Sequence, residues 1–282
     1  MDDAWRIMQQ RLEWVFSRRI AFLFGATRWG TVVIERALDA HPEIAAKGEG
    51  RVAETLLPLM GQAVGLYRRR LDEASAEAER GLLPFTAARL DATDGTHLAR
   101  VAFGLALARY AGDKPAKCLV ERTPEHVLAL PELEQLVPGA YYIHVVRDGR
   151  DEAVAAWDHE TRTKGDAFAK RHPDFGRFAE SFARAWGGAV AAARAFGRAH
   201  PDRFLEIKCE RMLDRPTPTL SKICRFLGAD WRESRIAPCL EAASQIAPEG
   251  LAGLWRERFD EPGLAAFRRQ AGEILKMFDY EG

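Results

Sequence analysis

Nowhere does the sequence hold the roughly 20 consecutive apolar residues that a membrane-spanning helix needs, which argues against integral membrane association. A cationic opening followed by an apolar run is also missing. The chain begins Met1-Asp2-Asp3, so no secretory signal and a cytoplasmic location are expected. Net charge is absent, with 41 basic residues against 41 acidic ones. That balance excludes the global positive field of a nucleic-acid binder, and recognition of an anion has to come from local arginines. Cysteine is scarce: Cys118, Cys209, Cys224 and Cys239 stand far apart, with no CxxC and no Cys/His spacing suited to a metal. Reduced, buried thiols and no required metal follow. No repeat, low-complexity tract or clean linker breaks the 282 residues. We divide them into an N-terminal helix packed on the body (1–18) and one domain (19–282). Arginine outnumbers lysine and alanine is abundant, a composition typical of GC-rich bacterial genomes.

What is present is a succession of alternating elements. Trp5, Met8, Leu12, Val15 and Phe16 fall on roughly one face of a helix over 3–16. The run Ile20-Ala21-Phe22-Leu23-Phe24 reads as a buried strand that stops at Gly25 and gives way to a helical pattern from Gly30 through Leu38. Further strands are read at 117–120, 141–146 and 203–207. Helices are read at 51–60, 97–110, 151–157, 178–196 and 217–227, and the Ala/Glu-rich stretch 73–79 reads as a solvated helix. Strands alternating with helices indicate an α/β protein with a parallel sheet covered on both faces. The polar stretch 158–165 and its continuation to Arg171 read as an exposed loop, with a lid carrying Arg162 or Lys164 as the alternative.

Two places suit anions. Gly25-Ala26-Thr27-Arg28-Trp29-Gly30-Thr31 has the glycine spacing of a phosphate loop opening a helix, where backbone N–H groups and the helix dipole favour negative charge. A nucleoside-triphosphate loop needs Lys directly after its second glycine. Here that position is Thr31 and the cation comes earlier, at Arg28, which suits one compact phosphate or phosphosulfate better. A purely structural turn remains open. The second place is Val146-Arg147-Asp148-Gly149-Arg150-Asp151, at the end of a buried strand, where ligands of open α/β sheets collect. Arg147 either binds a second phosphate there or pairs with Asp148 or Asp151. Together the two places fit a nucleotide carrying two separated phosphates.

At this point the chain resembles the 3′-phosphoadenosine 5′-phosphosulfate (PAPS)-dependent sulfotransferases, within them the tyrosylprotein sulfotransferase-like and bacterial branch. The resemblance is carried by 22–31, by 38–44 with Gly48-Glu49, by Glu121-Arg122-Thr123-Pro124-Glu125-His126, by 144–151 and by 204–213 with 220–227. It implies a P-loop-like central parallel sheet flanked by helices, and transfer of a sulfuryl group from PAPS to a hydroxyl, releasing adenosine 3′,5′-bisphosphate (PAP). It also implies that Gly25, Ala26, Thr27, Arg28, Trp29, Gly30, Thr31 and Val32 hold the 5′-phosphosulfate and Arg147 the 3′-phosphate. Glu49 falls at the position of the branch's catalytic carboxylate, and Arg122 at that of a cation near the transferred group. Trp29 and Val32 replace hydroxyl residues of the family loop, and Ala155 stands where the family has a serine beside the 3′-phosphate.

The mechanism so implied has the acceptor, a hydroxyl-bearing small molecule or a peptide, attack sulfur in line. Glu49 acts as general base, with Arg28 and Arg122 stabilising the charge that builds up. Other readings stay open beside it: Glu49 paired with Arg51, His126 as a second choice of base, and His41 and His144 as packing residues. For the whole chain the alternatives are a non-catalytic nucleotide-binding relative and a P-loop kinase. The stretch 250–256 resembles a family segment that closes over the nucleotide.

Overall fold

The strand expected at 20–24 forms as β1 (Arg19–Phe24), and it takes the central place in a five-stranded parallel sheet. The computed structural model describes residues 3–25, 28–81, 87–246 and 252–280, with backbone alone at 28 and 29. The other strands are β2 (Ile44–Lys47), β3 (Cys118–Arg122), β4 (Tyr141–Val146) and β5 (Phe204–Lys208), in the spatial order β2-β3-β1-β4-β5. β1 is flanked by β3, with Leu23 beside Arg122, and by β4, with Phe24 beside His144.

Alternate side chains of β1 feed two different cores, which is why the run is apolar throughout. Ala21 and Leu23 join Ile143 and Val145 on one face, covered by Ile34 and Leu38 of α2 (Arg28–Asp39). Ile20, Phe22 and Phe24 join Tyr142 on the other, beneath Phe103 and Leu107 of a helix over Asp94–Ala111. A third cluster lies beyond β4. There Trp186 of the long helix Phe175–Ala199 meets Phe267 and Leu275 of the helix Glu261–Met277.

The N-terminal helix α1 (Asp3–Phe16) rests on the 94–111 helix at Gly104, where an added Cβ would lie 2.8 Å from both Leu12 and Phe16. Only Val15 of α1 is fully buried, and Trp5 lies out in solvent, so the contact face is narrower than the periodicity predicts.

The regions read as a helix over 51–60 and a loop over 158–165 differ from that reading. The region 51–60 is a π-helical turn (Val52–Leu56) that runs into a helix extending over Leu57–Arg80. The supposed loop 158–165 is the second half of the helix Gly149–Lys164, followed by a short helix over Asp166–Arg171. Its polarity reflects exposure on most sides, and the Lys164–Glu160 ion pair at 2.5 Å adds one-turn support. Gly165, with φ of 48°, ends it.

Candidate functional site

The loops leaving β1, β2, β3 and β4 emerge along one edge of the sheet, at the carboxyl ends of its strands. Gly25 leaves β1 so close to β4 that an added Cβ would lie 2.1 Å from the Val145 carbonyl oxygen, and only glycine passes there. The helix that follows starts two residues earlier than the sequence pattern suggests. Arg28 and Gly30 are therefore in its first turn, which contains no acidic residue to weaken the positive end of the dipole. Gly30 and Thr31 are buried. Val32 is half-buried and its side chain borders a depression shared with Arg36 and Ala242, on the flank facing the helix over Glu233–Ser244. Ala26 and Thr27, and the side chains of Arg28 and Trp29, lie outside the described residues.

Glu49 and Arg122 are brought into direct contact. Arg122, the last residue of β3, donates from Nη1 to Glu49 Oε1 at 2.8 Å and from Nε to Glu35 Oε2 on α2 at 2.9 Å. The other Glu49 oxygen accepts from Arg51 at 3.2 Å, so the pairing with Arg51 and the contact with Arg122 coexist. Glu49 keeps 27% of its side chain exposed, against 10% for Arg122 and 7% for Glu35. The Glu49 carboxylate thus stays partly open to solvent, while the arginine that holds it is buried.

His126 occupies a different position from that of a free base. It sits on a 3₁₀ turn (Pro124–Leu128), fully buried, with Nε2 2.7 Å from Glu121 Oε2 and Nδ1 2.8 Å from Glu54 Oε1. Burial alone would lower its pKa, but the two carboxylates outweigh it and raise it to about 9. An imidazolium at neutral pH has no lone pair to offer a hydroxyl. His41 donates from Nε2 to the Asp230 carbonyl at 2.8 Å and accepts at Nδ1 from the Glu43 N–H. His144 is buried against Glu206. Burial lowers the pKa of both.

Arg147 is buried at the end of β4, and its charge reaches Asp151, Glu152 and Cys209. Asp148 is held by Arg150 at 2.7 Å, and its backbone N–H donates to Glu210. Asp151 accepts from the N–H groups of Gly253 and Trp255, at 2.8 and 2.9 Å, and so ties the segment 252–258 to the start of the 149–164 helix. Arg150 stacks on the Trp255 ring at 3.7 Å. Residues 250 and 251 of that family-like stretch lie outside the described residues. Glu152 is buried with neither oxygen hydrogen-bonded, and burial pushes its carboxyl well above the usual range. Ala155 is exposed.

Sequence reasoning missed Glu35, Glu54, Glu152 and Glu210, and named Asp151 only as a partner for Arg147. The signal for Glu35 was there: an acid between Ile34 and Ala37 on the buried side of α2. Asp151 and Glu152 sit in a charged run that reads as a solvated helix start.

Among the described residues no group of His, Cys, Asp and Glu is placed to hold a metal ion. No described helix is long and apolar enough to cross a membrane. All four cysteines are free and buried.

Known proteins resemble this chain in sequence and in fold. The chain is 25% identical over 217 residues to protein-tyrosine sulfotransferase 1 of Danio rerio, which covers 76% of this chain and 54% of the relative. The chain spans about half the length of the curated relatives it matches. Among solved structures, sulfotransferase STF9 from Mycobacterium avium superposes with a TM-score of 0.62 at 14% identity, covering 98% of this chain and 81% of that one. Mouse sulfotransferase SULT7A1, solved in complex with PAP, superposes with a TM-score of 0.51 at 16% identity, covering 97% and 94%. The sulfotransferase family model matches residues 21–233, and the chain belongs to that family.

Proposed function

We propose that this protein transfers a sulfuryl group from PAPS to the hydroxyl of a small molecule or peptide and releases PAP, with Glu49 as general base. The observation that carries the reading is the Glu49–Arg122 contact, a partly exposed carboxylate held at 2.8 Å by an arginine that α2 grips in turn through Glu35. The surroundings suit a bisphosphorylated nucleotide. Gly25 lets the chain leave β1 hard against the Val145 carbonyl of β4, and the first turn of α2 offers N–H groups and a dipole to a 5′-phosphosulfate. Arg147, one strand away, would hold the 3′-phosphate.

The donor supplies the sulfur centre and a good leaving group. The protein supplies orientation and charge. Glu49 accepts the acceptor's hydroxyl proton on its partly exposed carboxylate. Arg122 fixes the carboxylate and brings positive charge beside the forming bond, and Arg28 adds a second cation at the loop. Glu35 holds Arg122 through Nε, which fixes the direction in which the guanidinium presents Nη1 to Glu49.

Thermal melts with PAP, and with ATP plus magnesium as control, test the cofactor. A ligand at 100 times its dissociation constant stabilises by about 2.7 kcal/mol. At roughly 2 °C per kcal/mol for a chain of this size, that is a rise of about 5 °C. Sulfur-35 transfer from PAPS to a panel of phenols, alcohols and tyrosine peptides then tests turnover. A shift with ATP and none with PAP would exclude the reading. A PAP shift with no transfer to any acceptor would favour a nucleotide-binding relative that has lost catalysis.

A further inference from the structure

The turn that carries Glu49 has little of its own to hold it. It runs Gly48-Glu49-Gly50-Arg51, with two glycines and with Arg51 in the left-handed region at φ 46°. Its backbone is anchored from β3. The Gly50 N–H donates to Glu121 Oε1 at 2.7 Å, and the Arg51 N–H donates to Thr123 Oγ1 at 3.2 Å. Thr123 in turn donates its hydroxyl to Glu121 Oε1 at 2.6 Å. Glu121, His126 and Thr123 are all completely buried.

Both ring nitrogens of His126 point at carboxylates, Glu121 on β3 and Glu54 on the π turn. An ionised carboxylate only accepts, so both nitrogens must carry hydrogen, and the ring is an imidazolium by geometry. It closes a chain, Glu54–His126–Glu121, whose far end is the amide next to Glu49. Phe22 of β1 packs edge-on against the ring at 5.5 Å and fixes its plane. The other charged or titratable groups facing this chain are Arg51, beside Glu54, and Tyr110, beside Glu121.

We propose that His126 and Glu121 are positioning residues for Glu49, acting through the Gly50 amide to hold the catalytic turn. The inference rests on the role given to Glu49 above. A neutral imidazole at 126 carries a single N–H, and a glutamine amide offers its hydrogens from one nitrogen, so neither spans the two carboxylates as the imidazolium does, and the buried Glu121 Oε2 loses its donor. Glu121 then has reason to rotate away from Gly50. The pKa of about 9 sets where the wild-type ring itself stops bridging.

The test uses the full-length protein and four forms: parent, His126→Gln, Glu49→Gln and the double variant. Amide hydrogen exchange over the 44–57 peptide needs no substrate. Exchange at Gly50 and Arg51 should rise about 10–100-fold in His126→Gln, with the β4 peptide unchanged. With PAPS and the best phenol of the acceptor panel, kcat should fall about 100-fold. The dissociation constant for PAP should stay within a factor of two. In parent the kcat profile should fall above about pH 9, and that limb should be missing in His126→Gln. Adding His126→Gln to Glu49→Gln should cost nothing further. Unchanged exchange at Gly50 overturns the proposal, as does a kcat loss that persists at full size in the Glu49→Gln background. Full kcat in Glu49→Gln alone would instead overturn the assignment of the base, while the exchange result still decides whether His126 holds the turn.

Discussion

Replacing Arg122 by methionine separates the stability of this site from its chemistry. The substitution keeps most of the aliphatic volume and removes the guanidinium, so Glu35, with 7% of its side chain exposed, loses the group it faces at 2.9 Å. Breaking a buried ion pair from one side costs about 3–5 kcal/mol, because the remaining charge is left desolvated. With an unfolding entropy of about 2.1 cal/mol/K per residue, 282 residues give roughly 0.6 kcal/mol per kelvin. The melting temperature should therefore fall by about 5–8 °C. Adding Glu35→Gln removes the orphaned charge and should recover most of that loss. Transfer activity should not recover. Both variants should turn over about 100–1,000-fold more slowly, the scale of one lost charge-stabilising donor. Calorimetric melts and sulfur-35 transfer rates on the three proteins give the full comparison. If Arg122→Met melts with the parent, or the double variant melts no higher than the single one, the ion-pair reasoning is wrong. If the single variant keeps its turnover, Arg122 plays no part in the chemistry.

Gly25→Ala forces a methyl group into the Val145 carbonyl at the centre of the sheet, where neither strand can yield. It should lower stability by about 1–3 kcal/mol and abolish the PAP-dependent melting shift; an undiminished shift would refute the loop assignment. Asp151→Ala leaves the Gly253 and Trp255 N–H groups without their acceptor, and tryptic cleavage at Arg256 and Arg258 should accelerate at least tenfold. Equal cleavage rates would show that the segment is held by other means. For pH, the folded pKa of His126 lies above its unfolded value near 6.5, so its contribution is full below that value and is lost as pH rises through about 9. It is worth a few kcal/mol, and urea titrations between pH 6 and 10 should show the decline in the parent and much less of it in His126→Gln.

The parts of the fold that could be read from sequence are those whose burial is uniform. β1 after Arg19 and β4 apart from His144 are apolar because both faces are covered, and 141–146 was read to the residue. β2 was overlooked because Ile44-Ala45-Ala46-Lys47 is short and its alanines suit a helix equally well. The long helix after the π turn was read only as two pieces, 51–60 and 73–79, because its outer face carries a run of arginines and glutamates and only Val64 is fully buried. At the site, spacing and family likeness pointed to Glu49, Arg122 and Arg147 one at a time. The links between them are tertiary. Neither Glu35 behind Arg122 nor Glu54 beside His126 shares a local motif with its partner, and no periodicity in a single chain announces a contact spanning 72 or 87 positions.

The central position of β1 also sets the order of events on the ribosome. Its five apolar residues are synthesised well before either neighbour, for the nearer of the two, β3, begins at residue 118. At elongation rates of about 5–20 residues per second, the nascent strand waits roughly 5–20 s before either edge can be paired. During that interval Ile20-Ala21-Phe22-Leu23-Phe24 is an unpaired, uncharged segment of high strand propensity, the kind that recruits chaperones or other nascent chains. Synonymous codon changes that slow translation between residues 24 and 118 should therefore lower soluble yield while leaving the finished protein the same.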